Sequence, residues 1–239
     1  MRSNPSPLWA GLFASVLTAC GASPPPVGGS SNGETGSATP LCDALGANQP
    51  VAAGEVHRWS FDEGFGPLPT AFSSVLGRWV VEAESTAPSP PNVARQTGTY
   101  AVGDYPRAMV RDLTFTDLTA SVMCRPESGS IDQACGLVFR AQDGCNYYVV
   151  RANAKEGNTR IYISVDGVRT QLSATADTPL AAGTWHALGL TTKGSEFTVS
   201  LDGTQILTCS DTTFATGKIG LWTKSDSVTA FDDLEAVGN

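Results

Sequence analysis

The sequence predicts an all-β protein built as a two-sheet antiparallel β-sandwich, and three observations carry that prediction. The first is residues 184–209, TWHALGLTTKGSEFTVSLDGTQILTC, where strand-like runs are joined by a glycine-containing turn and then by Asp202-Gly203. Both residues of the tightest hairpin turn need positive φ, so Asp-Gly between alternating apolar residues is a strong hairpin signal. The second is the same signal at Asp166-Gly167, inside RIYISVDGVRTQL. The third is composition: 25 glycines and 15 prolines in 239 residues, with no long segment of helical period.

The chain is long enough for one domain with a sizeable core, preceded by a leader. Its net charge is -8 and it has no basic run. That excludes nucleic acid as a partner, because such binding rests on neutralising phosphates. Residues 8–17 form an apolar run behind Arg2, too short to span a membrane as a helix. Residues 1–19 are therefore expected to be a secretion signal. The ending LTACG resembles a bacterial lipobox, which implies cleavage before Cys20 and lipid on its thiol. Gly21, with no aspartate there, resembles lipoproteins sent to the outer membrane. Residues 20–50 are read as the lipidated cysteine and a flexible tether, rich in Ser, Pro, Gly and Ala. Residues 51–239 are read as the folded domain. The expectation is an exported protein, lipid-anchored to the cell envelope and touching the membrane through that anchor alone.

Export permits disulfides. Five cysteines remain beyond the leader and its lipidated residue: Cys42, Cys124, Cys135, Cys145 and Cys209. Cys124 and Cys135 flank a loop between two strand-like runs, so a bridge is expected there. Cys145 with Cys209 is a second pairing, which leaves Cys42 as the odd one; sequence does not fix the connectivity. Zinc would require close cysteine or histidine pairs. The sequence has none, and His57 and His186 are far apart.

Strands begin near Glu55. HRWSF (57–61) alternates and ends in a turn; GRWVVEAE (77–84) is a second run, and the proline-rich stretch 87–91 must be a loop or edge. Runs at 92–98, 107–111 and 112–124 follow. The clearest region is CGLVFR (135–140), a four-residue loop, then CNYYVVR (145–151). Cross-strand partners share a face. Val138, Arg140, Tyr147, Val149 and Arg151 then fall on one side, and Leu137, Phe139, Tyr148 and Val150 on the other, the better core face. In the hairpin at Asp166-Gly167, Ile161, Ile163, Val165, Val168 and Leu172 face the core, while Tyr162, Ser164, Arg169 and Gln171 face away. At Asp202-Gly203, Phe197, Val199, Leu201 and Ile206 point inward. GKIGLWTK (217–224) and VTAFDDLEAV (228–237) close the chain as strands. Short strands between Gly, Pro and Asp turns suit a sandwich with one face of each sheet packed.

The order WHxL, FxVxLDG, GKIGLW and FDDLEAV resembles the concanavalin A-like and laminin-G-like jelly rolls, from about Glu55 to the end of the chain. GLVFR followed by NYYVVR is also similar to bacterial secreted domains grouped with 3-keto-disaccharide hydrolases. The resemblance implies two curved antiparallel sheets and, often, carbohydrate or protein recognition on a concave face or rim loops. It also implies a structural calcium held by main-chain carbonyls and an aspartate of the last strand, a position matched by Asp233. Fold alone does not fix function.

Retaining glycosidases of this fold resemble an ExDxxE strand, which places two carboxylates on one face. No such run occurs. Asp62 and Glu63 are adjacent and point to opposite faces; Asp233 and Glu235 share a face without a third acid. His186 lies inside WHxL and is read as a structural residue, since no GxSxG elbow is present. No catalytic residue is assigned. Sugar sites combine an aromatic platform with polar groups. Arg140, Tyr147 and Arg151 on one sheet face, with Trp222 flanked by Lys224 and Asp226, are the candidate ligand-binding residues. The leading expectation is non-catalytic binding of carbohydrate or another surface polymer. A glycoside-active enzyme and a structural or adhesion module are the alternatives.

Overall fold

The computed structural model describes residues 42–43 and 45–239. The expected signal peptide, Cys20 and most of the expected tether lie outside the described residues. Seventeen strands and no α-helix are present among the described residues. They form two large sheets and one small pair.

The seven-stranded sheet contains β3 (Phe72–Leu76), β6 (Arg107–Val110), β9 (Ala134–Ala141), β10 (Tyr147–Asn153), β11 (Asn158–Val165), β12 (Val168–Asp177) and β16 (Lys218–Trp222), in the order β12-β11-β10-β9-β16-β6-β3. The eight-stranded sheet contains β4 (Trp79–Ala83), β5 (Asn92–Gln96), β8 (Leu118–Ser128), β13 (His186–Lys193), β14 (Glu196–Leu201), β15 (Thr204–Ser210) and β17 (Val228–Gly238), in the order β15-β14-β13-β8-β17-β5-β4, with β2 (Val56–Trp59) also paired to β17. Strand pairs within both sheets are antiparallel; β1 (Gln49–Pro50) runs parallel to β7 (Leu113–Thr114).

The alternating pattern explains the two layers. Leu137, Phe139, Tyr148, Val150, Ile161 and Ile163 from one sheet meet Val122, Leu188, Leu190, Phe197, Val199 and Phe231 from the other in a single core cluster. Burying one large aliphatic or aromatic side chain contributes about 1.5–3 kcal/mol, so this shared cluster is what holds the sheets together. Both Asp-Gly turns form as expected: Asp166 and Gly167 have φ of 50° and 80°, and Asp202 and Gly203 have 51° and 77°. Val165 and Val168 flank the first turn and are 42% and 63% exposed. The alternation expects them in the core; as the pair that closes the turn they stand exposed instead.

The disulfides correct two expectations. Cys124 bonds Cys135, as the intervening loop suggests. Cys145 bonds Cys42 rather than Cys209. Cys209 lies on β15 and is buried in the core between the sheets. Cys145 lies in the β9–β10 loop, and its side chain faces the other side of the seven-stranded sheet. Cys42 is thus not the odd cysteine. Its segment caps the sheet: Leu45 is buried against Met109 and Trp222's cluster, and the buried Lys218 Nζ donates to the carbonyls of Ala47 (2.5 Å) and Arg111 (2.8 Å).

Candidate functional site

The outer face of the seven-stranded sheet carries a second cluster: Met109, Val138, Tyr147, Val149, Tyr162 and Trp222, with Tyr105 packed against it. Gly136 makes room for it. Trp222 is its cross-strand partner, and the indole lies over the site a side chain would fill: a Cβ on Gly136 would meet Trp222 Cε3 at 3.0 Å. Tyr105 stacks on Trp222, with ring centroids 5.5 Å apart and planes 17° from parallel.

Arg169 completes the arrangement. Its Cζ lies 4.3 Å from the Tyr105 ring centroid, 4.1 Å from that of Tyr162 and 5.7 Å from that of Trp222. A guanidinium seated over aromatic rings gains from each ring's quadrupole and sheds little water in doing so. Beside it, Arg151 Nη2 donates to Asn158 Oδ1 at 2.7 Å and Tyr162 Oη at 3.3 Å, and Arg151 Nη1 lies 3.1 Å from Glu156 Oε2. Glu156 also faces Arg160 Nη1 at 3.7 Å and Lys224 Nζ at 3.6 Å; Lys224 pairs with the buried Asp132 at 2.8 Å. Burial pushes the Glu156 carboxyl up, but Arg151, Lys224 and Arg160 outweigh it and hold it below the usual carboxylate range. At the other end, Tyr105, Arg107, Tyr147 and Ser164 line a hollow of about 100 Å³, where Arg107 Cζ sits 5.3 Å over the Tyr147 ring and its Nε donates to Gly144 O at 2.8 Å.

Of the four residues the sequence singled out, three meet on this face. Tyr147, Arg151 and Trp222 are each no more than 1% exposed, so they form its floor and not its surface. Arg140 is elsewhere. A β-bulge against β16, where Lys218 pairs Ala141 but Gly220 pairs Val138, adds a residue to β9, and Arg140 sits there with φ 49°. An inserted residue breaks the in/out alternation. Phe139 and Arg140 therefore both point between the sheets. Arg140 lies over the Phe197 ring, pairs with Asp117 at 3.2 Å and donates to the carbonyls of Phe214, Thr116 and Gly194. Asp226 is consumed by the fold as well: it accepts from the main-chain N–H groups of Ser130, Ile131 and Asp132. The surface-forming residues Tyr105, Glu156, Arg160 and Arg169 were missed. The outward alternation of Arg169 and Tyr162 was the available signal; Tyr105 reaches the face from a loop that no periodicity marks.

The outer face of the eight-stranded sheet holds a larger hollow, about 550 Å³, lined by Arg58, Trp59, Ser60, Ser121, Met123, Ala187, Asp233, Leu234 and Glu235. A bulge between Asp232 and Glu235 sets Asp233 at φ 46°. Its carboxylates are already engaged: Arg58 donates to Glu235, and Ser89 Oγ donates to Asp233 Oδ1 at 2.8 Å. Among the described residues no three His, Cys, Asp or Glu side chains gather where a metal could sit. Calcium takes six to eight oxygens, so an ion at Asp233 would draw nearly all of them from main-chain carbonyls. His186 is held by Asp202 (2.8 Å) and the Ala181 carbonyl (3.2 Å), which engages both ring nitrogens.

No family model matches the sequence, and no curated protein matches it. Solved structures do match. The carbohydrate-binding module CBM66 from Bacillus subtilis superposes with a TM-score of 0.60 at 19% identity, over 71% of this chain and 96% of that one. The fold is a concanavalin A-like jelly roll. A Bacillus licheniformis beta-glucanase matches this jelly roll at TM-score 0.51 and 11% identity, over 78% of this chain and 99% of that one. The GH43 protein BlXynB of Bacillus licheniformis matches at 0.53 and 16%, over 76% of this chain but only 39% of its own length.

Proposed function

We propose that this protein is a lipid-anchored cell-envelope protein whose jelly roll binds carbohydrate, without catalysis, on the outer face of the seven-stranded sheet. One observation carries the binding reading: Arg169, half-exposed, held between Tyr105 and Tyr162 above Trp222. Aromatic edges with a few fixed polar groups are what orient a sugar ring. The likeness to a carbohydrate-binding module supports the reading at the level of fold. The anchor rests on the sequence around Cys20, and the outer membrane on Gly21. A glycan array probed with the purified jelly roll tests the binding: a ligand whose signal is lost in Arg169→Ala and Tyr105→Ala supports it, and no signal on any glycan removes it. Palmitate labelling of the full chain that disappears in Cys20→Ala tests the anchor.

A glycoside-active enzyme is the second reading, favoured by Asp233 and Glu235 both lining the 550 Å³ hollow. Release of sugar from glycosides, abolished in Glu235→Gln, would put this reading first.

A further inference from the structure

We propose that the ligand of this face is an acidic glycan whose carboxylates are received by Arg160 and Arg169 above the buried Arg151, an inference that rests on the face binding carbohydrate at all. The first observation is an excess of donors. Arg151 Nε, Arg160 Nε, Arg169 Nη1 and Trp222 Nε1 are buried and have no hydrogen-bond partner among the described residues. Arg151 and Trp222 are themselves no more than 1% exposed. A buried donor without an acceptor is costly, and a native structure rarely collects several on one face without a use. The acceptors on the face, Asn158 Oδ1, Tyr162 Oη and the Glu156 carboxylate, leave these donors unmatched. A carboxylate only accepts, whereas every sugar hydroxyl brings a donor of its own that would need an acceptor in turn.

The second observation is Glu156. It is an exposed carboxylate set among Arg151, Arg160 and Lys224 at 3.1, 3.7 and 3.6 Å. The fold thus already seats one carboxylate among these cations, on a chain whose net charge is -8. Asp132 and Asp177 are the other acids acting on the group; Asp132 is buried against Lys224, and Asp177 acts on Arg160 from β12. Glu156 therefore marks where the acid group of a uronic-acid residue would be received, and it competes with it. Planar guanidinium forks match planar carboxylates in pairs of hydrogen bonds, which distinguishes this chemistry from recognition of a point charge.

The competition gives the test. Binding of the full chain to polygalacturonate, dextran sulfate and neutral arabinoxylan is measured by affinity electrophoresis at low and high salt. We expect polygalacturonate to bind, to weaken with salt, and to lose about tenfold or more in Arg160→Gln and Arg169→Gln. Glu156→Gln should tighten it several-fold, a gain that a merely structural glutamate would not produce. Circular dichroism confirms that each variant is folded. Tighter binding of arabinoxylan, lost in Tyr105→Ala, keeps the carbohydrate reading and overturns the acidic ligand. Dextran sulfate binding with polygalacturonate silent overturns the carboxylate assignment. An unchanged or weakened Glu156→Gln complex overturns the competition on which the inference stands. Silence toward all three polymers overturns this inference, while the wider array decides the carbohydrate reading.

Discussion

Cys42 is bonded to Cys145 across 103 positions of sequence, and the bond fastens the segment before β1 over the outer face of the seven-stranded sheet. Closing a loop of that length removes much of the unfolded chain's freedom, about 4.7 kcal/mol in the chain-entropy account, against about 3 kcal/mol for a loop of some fifteen residues. The Cys124–Cys135 loop spans only 11 positions. Cys42→Ser with Cys145→Ser should therefore lower the urea-unfolding free energy by more than Cys124→Ser with Cys135→Ser does, by about 2 kcal/mol. Equal losses would mean that the capping segment adds nothing.

Two Asp-Gly turns and period-two alternation made the sandwich legible, because a buried face imposes its pattern directly on the residues that fill it. The site was legible only where that period held. Tyr147, Arg151 and Trp222 follow it and meet on one face. Arg140 does not, because the bulge at β16 inserts a residue that no side-chain pattern announces. The Cys42–Cys145 pairing depends on how a segment outside the sheet folds back over it, a long-range matter to which local sequence is blind. Tyr105 was invisible for the same reason.

Arg140 gives a prediction that separates scaffold from site. Its guanidinium is 1% exposed at the residue level, and it satisfies three carbonyls as well as Asp117. Burial pushes its pKa down, against the pull of Asp117 and Tyr148. Arg140→Ala leaves those oxygens buried and unpaired, which costs about 3 kcal/mol or more. Glycan affinity of the folded fraction should change less than about twofold, since this side chain points between the sheets. A stable variant that has lost its ligand would place Arg140 in the site.

Gly136 is where the site and the sheet meet. A Cβ there would lie 2.9 Å from Val150 O and 3.0 Å from Trp222 Cε3. The carbonyl belongs to the ladder and cannot retreat, so the indole must move. Gly136→Ala is expected to cost about 1–3 kcal/mol as overpacking and to alter the near-ultraviolet circular dichroism of Trp222. Glycan affinity should fall with it, because Tyr105 stacks on that indole. Unchanged affinity would show that the platform does not depend on where Trp222 lies.

Asp232 and Glu84 set opposite limits on stability against pH. Asp232 is fully buried; burial lifts its pKa to about 6, against hydrogen bonds from Ser89 and from its neighbour's main chain. Its folded-state penalty is fully present well above its folded value of about 6, where it is ionised in both states, and vanishes below its unfolded value of 3.8, where it is protonated in both. Stability therefore rises as pH falls through that window, by at most about 3 kcal/mol for a shift of some two units. Glu84 is held at about 2 by hydrogen bonds from Thr86 and Arg125, and pairs with Arg95 and Arg125 on the outer face of the eight-stranded sheet. Its contribution is present above its unfolded value of 4.5 and is lost as pH falls toward 2. The maximum of stability set by these two groups should lie at about pH 4. In Asp232→Asn the decline between about pH 5 and 7 should disappear while the acid limb stays, as measured by urea midpoints across that range. An unchanged neutral limb would show that Asp232 ionises alike in the folded and unfolded chain.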